Sequence, residues 1–209
     1  MKVSLIAITP DVEKVIEDAG RTCYLSHDKM TAESHERFIK MLVGKQHDSV
    51  LEHAYATFRI EGGSRCFTHQ FVRHRFCSFS QQSQRYVDEE KFAVVTPDSI
   101  RGNLEALGLY TKFVEDAREA YRGLIALGIQ KQDARFVLPN AVESEIVVSA
   151  NFREWRHIFR ARCHPAAQWE IRTICLEMLR ILKKEAPSVF HDFVIDEEKK
   201  FAQNLKIVV

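Results

Sequence analysis

Hydrophobic positions along this chain change period several times, and each change marks an element. Residues 1–9 are an apolar run of strand length closed by Pro10. Residues 10–19 then read as a helix with proline at its start, Asp11 and Glu13 in its first turn and Gly20 as its C-terminal cap. Thr31 is placed to cap a second helix whose Phe38, Met41 and Leu42 share one face, ending near Gly44. Over residues 54–60 the period falls to two, with Tyr55, Thr57 and Arg59 alternating against Ala56, Phe58 and Ile60, which predicts a strand that Gly62 and Gly63 end. Phe67 and Phe71 mark the buried side of a helix carrying Gln70, Arg73 and His74 on an adjoining face. The serine and glutamine density of 78–84 predicts a loop, and 86–95 a returning strand.

The second half of the chain is more helical. Residues 104–127 form a long amphipathic pattern, and 144–149 a short apolar strand. Asn151, with Glu154 three positions on, caps a helix over 152–161 whose Phe152, Trp155 and Phe159 face the core. Arg153, Arg156, His157 and Arg160 then make a basic surface on its other side. A last helix opens at Pro165, buries Ile171, Ile174, Cys175, Met178 and Leu182, and stops at Pro187. No repeat or flexible linker divides the sequence, so residues 1–209 are expected to be one α+β domain of mixed strands and long helices, without the regular alternation of a doubly wound sheet.

Composition narrows the partners. With 45% hydrophobic residues in 209 the chain can bury a substantial core, and 30 Lys+Arg against 29 Asp+Glu give no general grip on nucleic acid or an anionic membrane. Five cysteines are scattered without a CxxC pair, so neither a disulfide framework nor a zinc ribbon is indicated, and a reducing cytoplasm is the expected location. The apolar run 3–8 is too short for a signal segment, and nothing approaches the ~18 apolar residues of a membrane span.

Against this neutral background, residues 62–87 contain no acid at all, yet carry Arg65, His69, Arg73, His74, Arg75 and Arg85. Guanidinium forks match phosphate bidentately, and a serine in the following loop can complete a cradle, so Arg73, Arg75, Ser83 and Arg85 form a candidate anion site. The bland alternative is that these arginines are solvated or paired with distant carboxylates. No GxGxxG or GxxxxGK[ST] occurs, so arginine would have to replace a phosphate loop. The histidines and Cys163-His164 lack recognised metal spacing, and no metal is expected. Cys77 or Ser83 beside His74 is a conceivable nucleophile, but no orienting third group is evident. Arg135 and Arg162 stand alone beside apolar segments, where a surface charge is the ordinary reading.

The segment RHRFCSFSQQSQRY resembles the signature of flavin-dependent thymidylate synthases, an RHR followed after seven residues by serine, here Arg73, His74, Arg75 and Ser83. The likeness extends through RTCYLS, HDSVLEH, QFVRHR, RFVLP, the Asn151-Phe152-Arg153 step and Arg162, and so covers most of the chain. It implies the thymidylate synthase-complementing fold assembled as a homotetramer with active sites shared between subunits. It also implies synthesis of dTMP from dUMP, with carbon from 5,10-methylenetetrahydrofolate and reducing equivalents from NADPH through bound FAD. Carried over by position, Ser49, Arg73, His74, Arg75, Gln81, Asn151, Arg153 and His157 would contact FAD. Gln70, Arg73, Gln81, Gln82, Ser83, Gln84, Arg85, Arg135 and Arg162 would hold dUMP, with Ser83 and Arg85 on the phosphate and Arg162 favouring ionisation of the uracil N3. No enzyme nucleophile is implied. Ser80-Gln81 stands where many members have Asn-Glu, and His157 where others have Asn. The rival from another class is an RNA-binding module built on 65–86, with Phe76, Phe79 and Tyr86 as stacking platforms; a metal-dependent nucleotide hydrolase lacks its carboxylate–histidine cluster.

Overall fold

Burial alternates strictly along Glu143–Asn151, where Ser144, Ile146, Val148 and Ala150 are buried and their neighbours are not. In the computed structural model, which describes residues 1–205, this strand (β4) lies in a four-stranded sheet with β1 (Lys2–Ile8), β2 (Tyr55–Ser64) and β3 (Ser78–Gln81), in the order β1-β2-β4-β3. The helices are α1 (Val12–Thr22), α2 (Ser34–Gly44), α3 (Arg65–Phe71), the single turn α4 (Asp98–Arg101), the long α5 (Leu104–Ala126), the short α6 (Lys131–Ala134), α7 (Phe152–Arg162) and α8 (Trp169–Glu185). An antiparallel hairpin, β5 (Phe193–Asp196) with β6 (Phe201–Asn204), closes the described chain and pairs Phe193 with Asn204. Helices and strands are mixed without βαβ regularity, as the α+β reading requires.

Contacts divide the chain into two compact units. The first comprises residues 1–2, 60–70 and 80–146, and the second 3–59, 71–79 and the described residues from Val147 onward. In the first, Phe92, Val114, Ala117 and Val142 form a core with Val94, Tyr110 and Leu138 packed against it. In the second the core is aromatic. Phe58 meets Trp155 edge-on at 5.2 Å, Trp155 stacks on Phe159 at 5.9 Å, and Phe159 and Phe190 continue the cluster. Trp155 donates its indole N–H to the Ala56 carbonyl at 3.2 Å, so the ring is buried without an orphaned donor. Each such ring contributes roughly 1.5–3 kcal/mol of transfer free energy, enough to anchor α7 and fix what its polar edge presents.

Several local expectations are corrected. Helix α1 begins at Val12 and runs through Gly20 to Thr22, because Gly20 is a crossing point and not a cap: a Cβ there would lie 2.7 Å from Phe38 Cε1. Helix α2 starts at Ser34, so the cap position falls to Glu33 and not Thr31, whose N–H donates to the Ser34 hydroxyl at 2.9 Å. Strand β2 runs on through Gly62 and Gly63, with Gly62 at φ 73° where a Cβ would come within 3.3 Å of the Met1 backbone. Helix α3 ends at Phe71, leaving Arg73 and His74 in the turns beyond it. Residues 78–81 are strand β3, not loop, because an open sheet edge supplies the backbone partners that polar side chains would otherwise seek. Residues 86–95 give only one bridge, Val94 with Val142. Helix α8 starts at Trp169, where the Gln168 side chain accepts from the Glu170 and Ile171 N–H groups, and Pro165 lies ahead of it. Among the described residues no helix is long and apolar enough to cross a membrane.

Candidate active site

Two successive turns follow α3, with the His74 N–H donating to the Phe71 carbonyl at 3.1 Å and the Cys77 N–H to the His74 carbonyl at 3.3 Å. Their effect is to split the RHR triplet. Arg73 and Arg75 are exposed, while His74 turns inward to 7% exposure against Phe71. Asn151 caps α7 by accepting from the Glu154 N–H at 2.9 Å, and the first turns of that helix carry Arg153, Glu154 and His157.

These elements, all in the second unit, border a cavity of about 640 Å³ lined by Asp48, Glu52, Arg73, His74, Arg75, Phe76, Asn151, Arg153, Glu154, His157 and Arg160. Six of the eight residues expected on FAD therefore meet in one place. Ser49 lines an adjoining cavity of about 400 Å³ that shares Asp48 and Arg153 with the first. Gln81 belongs to the first unit, where its amide donates to Thr68 Oγ1 at 2.9 Å and Ser144 Oγ at 3.1 Å.

Among the described residues Arg73 and Arg75 make no hydrogen bond or ion pair, whereas Arg153 is held by Glu52. Arg156 departs from expectation altogether: it is 1% exposed and bonded bidentately to Asp192 at 2.7 and 2.6 Å, so it is part of the core and not of a basic surface. Asp48 contributes a buried Oδ1 without a partner among the described residues, an acceptor the sequence reading missed. That reading also treated Glu154 only as a capping residue. Its side chain is buried beside His74, 3.5 Å from Nδ1.

Arg162, in the last turn of α7, donates its Nε–H to His74 Nε2 at 3.0 Å. Burial first, then the Arg162 and His157 charges, push the His74 pKa down from 6.5 to about 4, so the ring is neutral at pH 7. Burial likewise raises Glu154, partly offset by His157. His74, Glu154 and His157 are close enough to share a cation, but His74 Nε2 is taken by Arg162 and its Nδ1 must then hold the proton, which opposes ligation. Cys77 is pushed up to about 12 by burial and by Glu154, so its thiol supplies no thiolate at neutral pH.

The expected nucleotide residues other than Arg73 and Arg162 lie in the first unit. Gln70 donates to the Cys66 carbonyl, and Gln82 to Glu89 at 3.1 Å. The Ser83 carbonyl accepts from the Tyr86 and Val87 N–H groups and its hydroxyl from the Arg85 N–H, so Ser83, Gln84 and Arg85 form one turn with Arg85 exposed over Tyr86. Arg135 donates to the Gln132 carbonyl, and burial, then the nearby Arg135 charge, lower the pKa of Arg65 while Glu89 opposes them. As stacking platforms, Phe76 and Tyr86 are exposed, but Phe79 is half-buried edge-on against Phe71 at 5.7 Å.

Comparison with known proteins gives a consistent result. A family model described as thymidylate synthase complementing protein matches residues 4–188. A flavin-dependent thymidylate synthase of Geobacter sulfurreducens is 44% identical over 200 residues, covering 92% of this chain and 86% of its own. Proteins of the same description from Nitratidesulfovibrio vulgaris and Clostridium tetani are 41% and 37% identical, covering 90% and 91% of this chain and 85% of their own in each case.

Proposed function

Since the chain belongs to the thymidylate synthase complementing protein family, we propose that it makes dTMP by reductive methylation of dUMP, with 5,10-methylenetetrahydrofolate as carbon donor, NADPH as reductant and FAD as its cofactor. The observation that carries this reading is the convergence of Arg73, Arg75, Asn151, Arg153 and His157 on one cavity beneath which His74 is buried.

The donor set fits a flavin dinucleotide. Two uncommitted guanidiniums, Arg73 and Arg75, suit its pyrophosphate, and the buried, unpartnered Asp48 Oδ1 suits a sugar hydroxyl. Asn151 and His157 offer polar edges, and Ser49 extends the set into the adjoining cavity. Bound there, FAD supplies the redox chemistry, carrying reducing equivalents from NADPH to the pyrimidine. The protein's own part is alignment and electrostatics. Ser83 and Arg85 hold the nucleotide phosphate, with Gln70, Gln81, Gln82, Gln84, Arg73 and Arg135 around the rest of dUMP. Arg162 lies at the uracil and stabilises the anion left when N3 loses its proton, a fixed cation aimed at developing charge. No side-chain nucleophile is needed, in keeping with the high thiol pKa of Cys77.

In this reading residues 1–209 act as a single synthase domain in the cytoplasm, and four copies assemble so that each active site draws on several subunits. Exposed Leu104, Leu109 and Phe113 along α5, the last two one helical turn apart, support association between copies. The test is tritium release from 5-tritiated dUMP with FAD, NADPH and methylenetetrahydrofolate. A folded protein that binds FAD yet releases no tritium under reducing conditions overturns the assignment.

A further inference from the structure

Both ring nitrogens of His74 face groups of the protein. A guanidinium offers donors and no acceptor, so His74 Nε2, 3.0 Å from Arg162 Nε, can only be the acceptor. The neutral ring must then hold its proton on Nδ1, and Nδ1 lies 3.5 Å from Glu154 Oε1. That separation is longer than a full hydrogen bond, yet short enough for a carboxylate to favour a proton on the near nitrogen over the far one. His74 and Glu154 are each only 7% exposed, so water competes weakly for either nitrogen.

We propose that Glu154 is a positioning residue for the reaction: it holds His74 in the Nδ1–H tautomer, so that Nε2 receives the Arg162 Nε–H and fixes the guanidinium where it meets the uracil. The inference rests on the reading of Arg162 as the activating cation. The bland account of Glu154 is that an acid in the first turn of α7 gains from the helix dipole, while its backbone N–H completes the Asn151 cap. That account makes no demand on His74. A buried carboxylate placed against the one ring nitrogen that must be protonated is unexplained by it and follows from the relay.

The chain of contacts also bears on how His74 serves the cofactor. With Nδ1 turned to Glu154 and Nε2 to Arg162, the central residue of the RHR triplet offers the cavity its ring and not a hydrogen-bonding nitrogen. His157, whose ring meets His74 edge-on at 5.8 Å and is itself exposed, is the imidazole with polar atoms to spare. The polar flavin contacts then fall to Arg73, Arg75, Asn151 and His157, and His74 acts on the substrate side through Arg162.

The experiment reads the tautomer directly, from the ¹⁵N resonances of His74 in the FAD-loaded full chain, assigned by their loss in His74→Asn. Wild type shows protonated Nδ1 and bare Nε2, the form that free imidazole disfavours in water. Glu154→Gln keeps an acceptor oxygen and keeps that tautomer. Glu154→Leu moves the proton to Nε2 and breaks the Arg162 contact, and kcat/KM for tritium release falls roughly 10- to 100-fold with flavin saturating. Glu154→Gln recovers most of that loss. A wild-type ring protonated on Nε2, an unchanged tautomer in Glu154→Leu, or equal impairment of Gln and Leu variants overturns the proposal. If Glu154→Leu fails to fold, the wild-type tautomer and the Gln variant still decide. An active wild type whose tautomer persists in Glu154→Leu sinks only the relay, whereas a wild type without tritium release sinks the synthase reading and Arg162's role with it.

Discussion

Acid should destabilise this protein through one imidazole. Burial, then the Arg162 and His157 charges, hold the folded-state pKa of His74 at about 4 against 6.5 when unperturbed. As pH falls below about 6.5 the unfolded chain takes up a proton at this position and the folded chain does not. The contribution is therefore complete above pH 6.5, is lost progressively down to about 4, and changes no further below that. A shift of this size corresponds to about 3.4 kcal/mol at ~1.36 kcal/mol per unit. Two features reduce it: the ring borders an open cavity, where solvent screens, and the Glu154 carboxylate 3.5 Å away favours the charged ring. A net loss of about 1–2 kcal/mol is the expected magnitude.

The assay is urea unfolding of the FAD-free full chain at fixed protein concentration, from pH 7.5 to 4, beside His74→Asn. Subtracting the two curves removes the titrating groups that do not interact with His74. Wild type should lose about 1–2 kcal/mol relative to the variant across that window. Parallel curves, or a wild type that gains on the variant toward acid, refute the reasoning, as does an NMR titration of His74 with its midpoint near 6.5.

Three further outcomes follow from other residues. Asp192→Asn leaves the Arg156 guanidinium buried beside a neutral amide, and urea midpoints at pH 7 should show a loss of about 3–5 kcal/mol; less than ~1 kcal/mol contradicts the buried pair. Gly20→Ala would gain up to about 1 kcal/mol on helix propensity alone. With Phe38 Cε1 2.7 Å from the new Cβ and the Phe38 ring held under Arg21, a loss of about 1–3 kcal/mol in thermal or urea unfolding is expected instead, and a gain removes the crossing-point argument. Ser83→Ala should raise KM for dUMP roughly 10- to 100-fold while measurable kcat persists, the loss of one hydroxyl bond to a charged phosphate. Abolished turnover with dUMP and FAD still bound would instead make Ser83 a chemical participant.

The sequence pattern carried the parts of this fold that depend on neighbours in sequence. Asn151 and Glu154 spelled out a helix start that is realised in the 2.9 Å cap, and the spacing of Phe152, Trp155 and Phe159 located the buried face of α7 correctly. Arg156 defeated the same periodicity. On a helical wheel it belongs with Arg153, His157 and Arg160, but Asp192, thirty-six residues away, folds over that side and removes it from solvent. Gly20 failed for a related reason, since a glycine after an apolar run looks like a cap unless the aromatic ring that crosses it is known. The hairpin Phe193–Asp196 with Phe201–Asn204 left no clear signal, its two four-residue strands being defined by each other.

At the site the same division separates what composition reveals from what only geometry can. An acid-free stretch rich in arginine points to an anion, and nothing in it says that the three residues of RHR part company. Backbone turns do that, by ending α3 at Phe71 and closing on the His74 carbonyl, so that alternate side chains go outward to the cavity and inward to the core. Once His74 is inward, its proton has only one place to be, and the two groups that settle the matter, Glu154 and Arg162, both come from α7, about eighty residues further along the chain. The basic segment thus supplies the charge, while the orientation of the cation assigned to the chemistry depends on an acid that the segment itself conspicuously lacks.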